Sequence, residues 1–207
     1  MDPNSFPTKG NLMLAKNSLN LAMMGYGLMD KKRNILIREL MGLIDEAKGI
    51  QSEIDTTFRA AYAAFQKANI ELGINYVQEI AVSVPVDEDV KVKVRSVMGT
   101  EIPLVQHKEK PMELTYGFYN TTQSLDEARY HFEKVKELTL KLSMVENSAY
   151  RLANSIKKTQ KRANALKNIT IPHYEALSRT ISNALEEKER EEFTRLKVIK
   201  RMKAEKP

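Results

Sequence analysis

Residues 12–68 read LMLAKNSLNLAMMGYGLMDKKRNILIRELMGLIDEAKGIQSEIDTTFRAAYAAFQKA, and their apolar positions keep one step throughout. The seam is Leu12, Ala15, Leu19, Ala22, Tyr26, Met29, Arg33, Leu36, Leu40, Leu43, Ala47, Ile50, Ile54, Thr57, Ala61, Ala64 and Ala68. Intervals of three and four alternate without a slip, and only Arg33 and Thr57 break the apolar character. That is the period of a coiled-coil seam rather than of an ordinary globular helix. A helix over Leu12–Leu72 extends for about 90 Å at 1.5 Å per residue. A compact domain of this chain length is far narrower. A long narrow seam offers no pocket, so the chain reads as a shaft or tether more than as a self-contained catalyst.

A second seam occupies the C-terminal half: Ala128, Phe132, Val135, Leu138, Leu142, Val145, Ala149, Leu152, Ile156, Thr159, Ala163 and Leu166. Two three-residue steps in succession, Val135 to Leu138 included, give it a stammer-like overwinding. The stripe resumes after Pro172 as Tyr174, Leu177, Ile181 and Leu185, and later as Phe193, Leu196 and Ile199. Burying the two seams against each other gives the expected fold. It is mainly α, a long antiparallel two-helix coiled coil built from the N- and C-terminal segments, with a small central α+β head. The boundaries expected are 8–78 for the first helix, 79–121 for the head and 122–205 for the second helix. The whole reads as a rod with a small head. In such a pair the C-terminal tail lies beside Asn11–Lys16, and Lys157, Lys158, Lys161 and Arg162 lie near Asp45, Glu46 and Glu53.

The head changes period. Asp87-Glu88-Asp89 ends the first apolar stretch, and Val90-Lys91-Val92-Lys93-Val94-Arg95 alternates apolar with basic, as a half-buried strand does. Gly99 and Thr100-Glu101-Ile102-Pro103-Leu104-Val105 follow, so a hairpin turns near Met98–Thr100, with Pro103 confining the second strand to an edge. Ile80–Val84 reads as a further short strand and His107–Pro111 as a loop. Ser124 with Glu127 resembles a capping box at the start of the second helix. The head is only about forty residues, marginal alone, so it is expected to pack on the coil or on a partner. Pro172 removes a backbone donor, which predicts a bend or discontinuity over Asn168–His173, with Asn168 or Thr170 capping a restarted helix. Gly25, Gly27, Gly42 and Gly49 each cost about 1 kcal/mol against Ala in a helix. They are either tolerated surface positions or points of close approach.

The 207 residues carry a net charge of +6 and no cysteine. The absence of cysteine removes disulfides and thiol chemistry and fits a reducing compartment. The opening Met1-Asp2-Pro3-Asn4-Ser5 lacks a basic stretch followed by an apolar core, so no secretory leader is expected. Leu19–Met29, the most apolar early run, is too short to span a bilayer. Charge is uneven: an acidic run over Glu186–Glu192 precedes Arg195, Lys197, Lys200, Arg201, Lys203 and Lys206. That tail is either a nucleic-acid footprint, or a solvated helix end suited to the C-terminal dipole or to a protein partner. No base-reading motif accompanies it, so nucleic acid is not the expected partner. Neither G-x-x-x-x-G-K-[ST] nor G-x-G-x-x-G occurs, and His107, His131 and His173 form no H-x-x-x-H pair. No catalytic residue, cofactor or metal is expected.

Further stretches carry a resemblance, Gly25–Arg33, with its glycines, apolar residues and basic cluster, among them. Pro7-Thr8-Lys9-Gly10-Asn11-Leu12 opens the chain; Val97-Met98-Gly99-Thr100-Glu101-Ile102-Pro103 forms the hairpin. Lys158-Thr159-Gln160-Lys161-Arg162-Ala163-Asn164-Ala165-Leu166, Ile171-Pro172 and Arg190–Lys200 follow on the last helix. In this order and spacing they resemble the D subunit of the V-type (vacuolar and bacterial or archaeal) rotary ATPases, over essentially the whole chain. Gln160 stands within what is often a run of basic residues there. The resemblance implies a noncatalytic central-stalk rotor, cytoplasmic and peripheral to the membrane. It implies a hexamer of catalytic A and noncatalytic B subunits around the shaft, a small F subunit on its side, and a cup-shaped subunit linking it to the membrane ring.

Residues assigned to the shaft tip are then Asn11, Leu12, Lys16, Arg195, Leu196, Lys197 and Lys200. Lys158, Lys161 and Arg162 form a basic cluster, Ile171 and Pro172 the bend, and Val94, Met98, Gly99, Ile102 and Pro103 the head hairpin. The competing readings are a prefoldin-like coiled-coil chaperone, another coiled-coil scaffold, and a nucleic-acid-associated coil.

Overall fold

The computed structural model describes residues 6–85, 90–106 and 115–204. Asp87-Glu88-Asp89, His107–Pro111 and Lys206 lie outside them. Helix α1 spans Lys9–Leu72 and α2 Ile74–Ser83; strands β1 (Lys91–Val97) and β2 (Thr100–Gln106) follow. A 3-10 turn at Phe118–Asn120 precedes α3 (Gln123–Ala165), a π turn (Leu166–Thr170) and α4 (Ile171–Ala204). The protein is mainly α, with its N- and C-terminal helices packed together and one small β-hairpin. It divides into a terminal unit, 1–34 with 157–207, and a hairpin unit, 35–156.

The sequence period explains the helix pairing within each unit. Every seam position from Leu12 to Ala68 is buried or half-buried, while the positions between them are mostly exposed. In the terminal unit Ala15, Ala22, Ala163 and Ile181 are buried. Thr8 caps α1: its hydroxyl accepts from the Asn11 amide at 3.1 Å, satisfying one of the orphan donors of the first turn.

In the hairpin unit Leu36, Ile102 and Leu152 form one core, flanked by Leu40, Leu43, Val97 and Ile156. Full burial of a leucine is worth about 1.5–3 kcal/mol, and Leu36 and Leu152 are both fully buried. A second core joins Ala68, Val77, Ile80 and Leu125. Between them Phe132 meets Tyr62 and Phe65 edge-on, with ring centroids 5.7 and 6.0 Å apart. Edge-to-face pairs add to area burial.

Several expectations are corrected. The first helix ends at Leu72, not 78, because Gly73 adopts φ 83° and ψ 145°, a conformation nearly confined to glycine. Ile80 lies in α2 rather than in a strand: Val77 and Ile80, three apart, share the helical face that packs on Ala68 and Leu125. No capping box forms at Ser124. Helix α3 begins one residue earlier, and the Ser124 hydroxyl is buried and donates to Glu71 Oε2 at 2.5 Å instead.

No helix restarts at Asn168 or Thr170 either. Backbone before and after the π turn stays in the right-handed helical region, no side chain caps it, and the Ile171 amide donates to Leu166 O, five residues back. A proline ring clashes with the carbonyl four residues earlier. Widening one turn relieves that clash without ending the helix.

Candidate partner-binding surfaces

The expected site residues fall into four places. Asn11 and Leu12 are half-buried at the start of α1, and the Asn11 side chain is spent on local structure, donating to Phe6 O at 2.9 Å. Lys16 is exposed. Arg195, Leu196, Lys197 and Lys200 are all exposed on α4.

They are not level with Asn11–Lys16. Lys9, the first residue of α1, pairs with Glu189 at 3.2 Å, and α4 runs on to Ala204. The later turns therefore have no α1 residue beside them among the described residues. Phe193 is 69% exposed, and Leu196, Ile199 and Met202 are exposed with it. The stripe that sequence assigns to the seam is here a bare apolar face interleaved with cations.

Lys158, Lys161 and Arg162 are exposed on α3. Of the three carboxylates expected near them, Glu53 pairs with Lys134 at 3.6 Å within the hairpin unit. In the terminal unit the level of Lys158 and Lys161 is marked by Gln160, which accepts from Arg33 at 2.8 Å. That bond fixes the level at which the two helices face each other, and it is not visible in a charge pattern. Ile171 is half-buried and Pro172 exposed.

At the hairpin, Met98 (φ 49°) and Gly99 (φ 75°) form a two-residue loop with both φ positive, the geometry of a type I′ turn. Val94 pairs with Pro103. Val94 is 61% exposed, whereas Ile102 is a core residue and presents nothing to a partner. The hairpin is moored to α3: Thr100 donates to Ser155 at 2.8 Å.

Sequence reasoning missed two polar clusters. One is the layer around Arg33, which also holds Asp30 at 2.7 Å. The break in the seam at Arg33 was its signal. The other is the Glu71–Ser124 bond. Hydrogen bonds from Ser124 and then Thr122 hold the Glu71 carboxyl below its ordinary pKa. Nearby, Tyr116 donates to Asp126 at 2.6 Å, and burial, then that bond, push its phenol up. Tyr116, Phe65, Val77, Ile80, Leu125 and Phe132 line an apolar cleft of about 350 Å³ in the hairpin unit.

Among the described residues no three His, Asp or Glu side chains are grouped to hold a metal, and no helix is long and apolar enough to cross a membrane. What the molecule displays is contact surface. The fold defines a class of mainly α protein whose long terminal helices pair and carry one small β-hairpin.

Comparison with known sequences narrows that class. A family model for the D subunit of ATP synthase matches residues 11–201. The V-type ATP synthase D subunit of Thermotoga neapolitana is 46% identical over 194 residues, 94% of this chain and 96% of that one. The A-type ATP synthase D subunits of Pyrococcus horikoshii and Methanobrevibacter smithii are each 36% identical over 197 residues. Those alignments cover 94% of this chain and 92% and 85% of the relatives. The chain belongs to the family of ATP synthase D subunits. It is one component of a multi-subunit ATP synthase complex, and its partners include other subunits of that complex.

Proposed function

We propose that this chain is the noncatalytic central-stalk rotor of a V-type rotary ATPase, coupling ATP hydrolysis or synthesis in a catalytic hexamer to ion translocation through a membrane ring. The observation that carries the reading is family membership across residues 11–201. The exposed apolar and cationic end of α4 supports it: such a surface fits an enclosing cavity of other subunits. In this reading Asn11, Leu12, Lys16, Arg195, Leu196, Lys197 and Lys200 meet the A and B subunits, ATP chemistry belongs to A, a small F-like protein binds the side, and a cup-shaped subunit seats the stalk on the ring. The work is done in the cytoplasm at the membrane surface.

The mechanism needs no chemistry on the stalk. A single asymmetric surface presented to three catalytic sites biases each toward a different conformation, provided its contact energy differs between their states. A bias of about 1.4 kcal/mol already shifts an equilibrium tenfold. Methionines exposed on α1, Met23, Met24 and Met41, are soft contacts suited to successive partners.

The test is native isolation of the tagged chain from its host, with co-purifying proteins identified by mass spectrometry. Recovery of two large ATPase subunits and a small F-like protein is expected. Recovery of unfolded clients or nucleic acid without ATPase subunits overturns the reading in favour of a chaperone or nucleic-acid-binding coil.

A further inference from the structure

The two edges of the β-hairpin are treated differently. Val97 and Thr100 flank the two-residue loop and pair directly, so they exchange both backbone bonds, and hydrogen-bonded pairs recur at alternate positions along the ladder. Lys91, Lys93 and Arg95 therefore direct N–H and C=O groups toward β2, while Val92, Val94 and Ser96 direct theirs outward. On β2 the outward residues are Glu101, Pro103 and Val105.

Helix α3 covers that β2 edge. Arg151 donates to Glu101 O at 3.3 Å and the Val105 amide to Met144 Sδ at 3.3 Å, while the Ser148 hydroxyl, which donates to Met144 O at 2.7 Å, lies 3.5 Å from Pro103 O. Pro103 has no N–H to satisfy. The outward backbone groups of Val92, Val94 and Ser96 have no partner among the described residues. Val92 and Val94 are 64% and 61% exposed. Lys91, Lys93 and Arg95, alternate residues on the opposite face, form no ion pair among the described residues.

An open edge of this kind is a template for one more strand. Its charge selects the occupant. A second copy of β1 laid antiparallel sets three cations against three cations, and like charges across a strand pair are destabilising. A strand with carboxylates at alternate positions meets Lys91, Lys93 and Arg95 on one face and covers Val92 and Val94 on the other.

We propose that the free edge of β1 is a docking strand for an extended acidic segment of a partner protein, with carboxylates and apolar side chains alternating. The inference is independent of the rotor reading, because it rests on the hairpin alone. Lysines that guard an edge against indiscriminate pairing thereby select a complementary strand.

The experiment uses the full chain and two blocked synthetic heptapeptides, one alternating Glu with Val and one alternating Lys with Val. Amide hydrogen exchange reads the outward edge and fluorescence anisotropy reads affinity. The acidic peptide is expected to slow exchange at Val92, Val94 and Ser96, and the basic peptide to leave it unchanged. Val94→Pro deletes an outward donor but no β1–β2 bond, so binding falls at least tenfold while Arg95 and Val97 stay protected. The triple variant K91E/K93E/R95E is expected to transfer preference to the basic peptide, and it decides the matter if Val94→Pro disrupts the hairpin. No protection at about 1 mM acidic peptide, equal response to both peptides, an unchanged preference in the triple variant, or protection through self-association overturns the proposal.

Discussion

The Arg33 guanidinium donates to the side-chain carbonyl of Gln160 at 2.8 Å, joining α1 to α3 inside the terminal unit. Gln160 in turn donates to Asn164 Oδ1 at 2.7 Å, and Asp30 balances the charge. A polar layer in an apolar seam fixes which levels of two helices face each other, at some cost in stability. A slip by one turn separates the guanidinium from its acceptor.

Gln160→Ala is therefore expected to cost about 1 kcal/mol, the worth of a charge-assisted bond reduced by partial exposure. The double variant Arg33→Leu/Gln160→Leu is expected to match or exceed wild-type stability in urea, since an apolar layer replaces a polar one. It should lose a unique register, read as doubled NMR resonances for seam residues. A singly registered double variant rules out a specifying role.

Pro172 offers a second test. With Pro172→Ala the α-type donor returns and the ring clash disappears, so the π turn at Leu166–Thr170 is expected to revert to α geometry. Stability should rise by about 1–3 kcal/mol. Retention of the π turn in a crystal structure of the variant assigns its origin to packing instead of proline.

Glycines separate by conformation. Gly73→Ala forces a side chain into φ 83° and is expected to cost about 1–3 kcal/mol. Gly42→Ala and Gly49→Ala place a Cβ with nothing within 4 Å on a helix surface, and each should raise stability by about 0.5–1 kcal/mol. Close approach does not explain them, and even at Gly25 a Cβ makes only an ordinary 3.8 Å contact with Leu166. Thermal unfolding of the three variants checks the order.

The Glu71 carboxyl, held below its ordinary pKa by Ser124 and Thr122, ties folding to pH. A depressed folded pKa contributes stability above the unfolded value and loses it as pH falls through the folded value. Wild-type stability is expected to fall on the acid side of the ordinary glutamate range. Glu71→Gln should lower stability at neutral pH and flatten that acid limb. Parallel unfolding curves for the two proteins across about pH 2–7 remove Glu71 from the linkage.

The helices were legible because burial leaves a period. Leu36, Ala61 and Ala68 sit on the seam that spacing alone defines, and all three are fully buried. The hairpin was legible because Val92, Val94 and Gly99 change that period and then stop it. Ile80 was not, since a short β-branched run fits strand or helix until Ala68 and Leu125 are beside it. Nor was register: many carboxylates can face Lys134 or Lys158 in a charge pattern, whereas the Arg33–Gln160 bond and the ring contacts of Phe132 each fit one alignment within their own unit. Of the candidate surface residues, Lys197 and Lys200 were found as exposed cations. Ile102 lies in the hairpin as its sequence position suggests, but that its side chain is core was not legible, because alternation in a two-stranded ribbon does not say which face a helix covers.

The span between Arg33 and Gln160, 127 positions, has a consequence for biosynthesis. At roughly 5–20 residues per second, the ribosome finishes Gln160 on the order of ten seconds after Arg33 emerges. Until then Leu12–Met29 has no native partner to cover it. Glu71 and Ser124, 53 positions apart, can meet first, so the helices have reason to close from their connected end toward the chain termini. The last apolar stripe to be translated, Phe193–Met202, leaves the ribosome with no α1 turn beside it among the described residues.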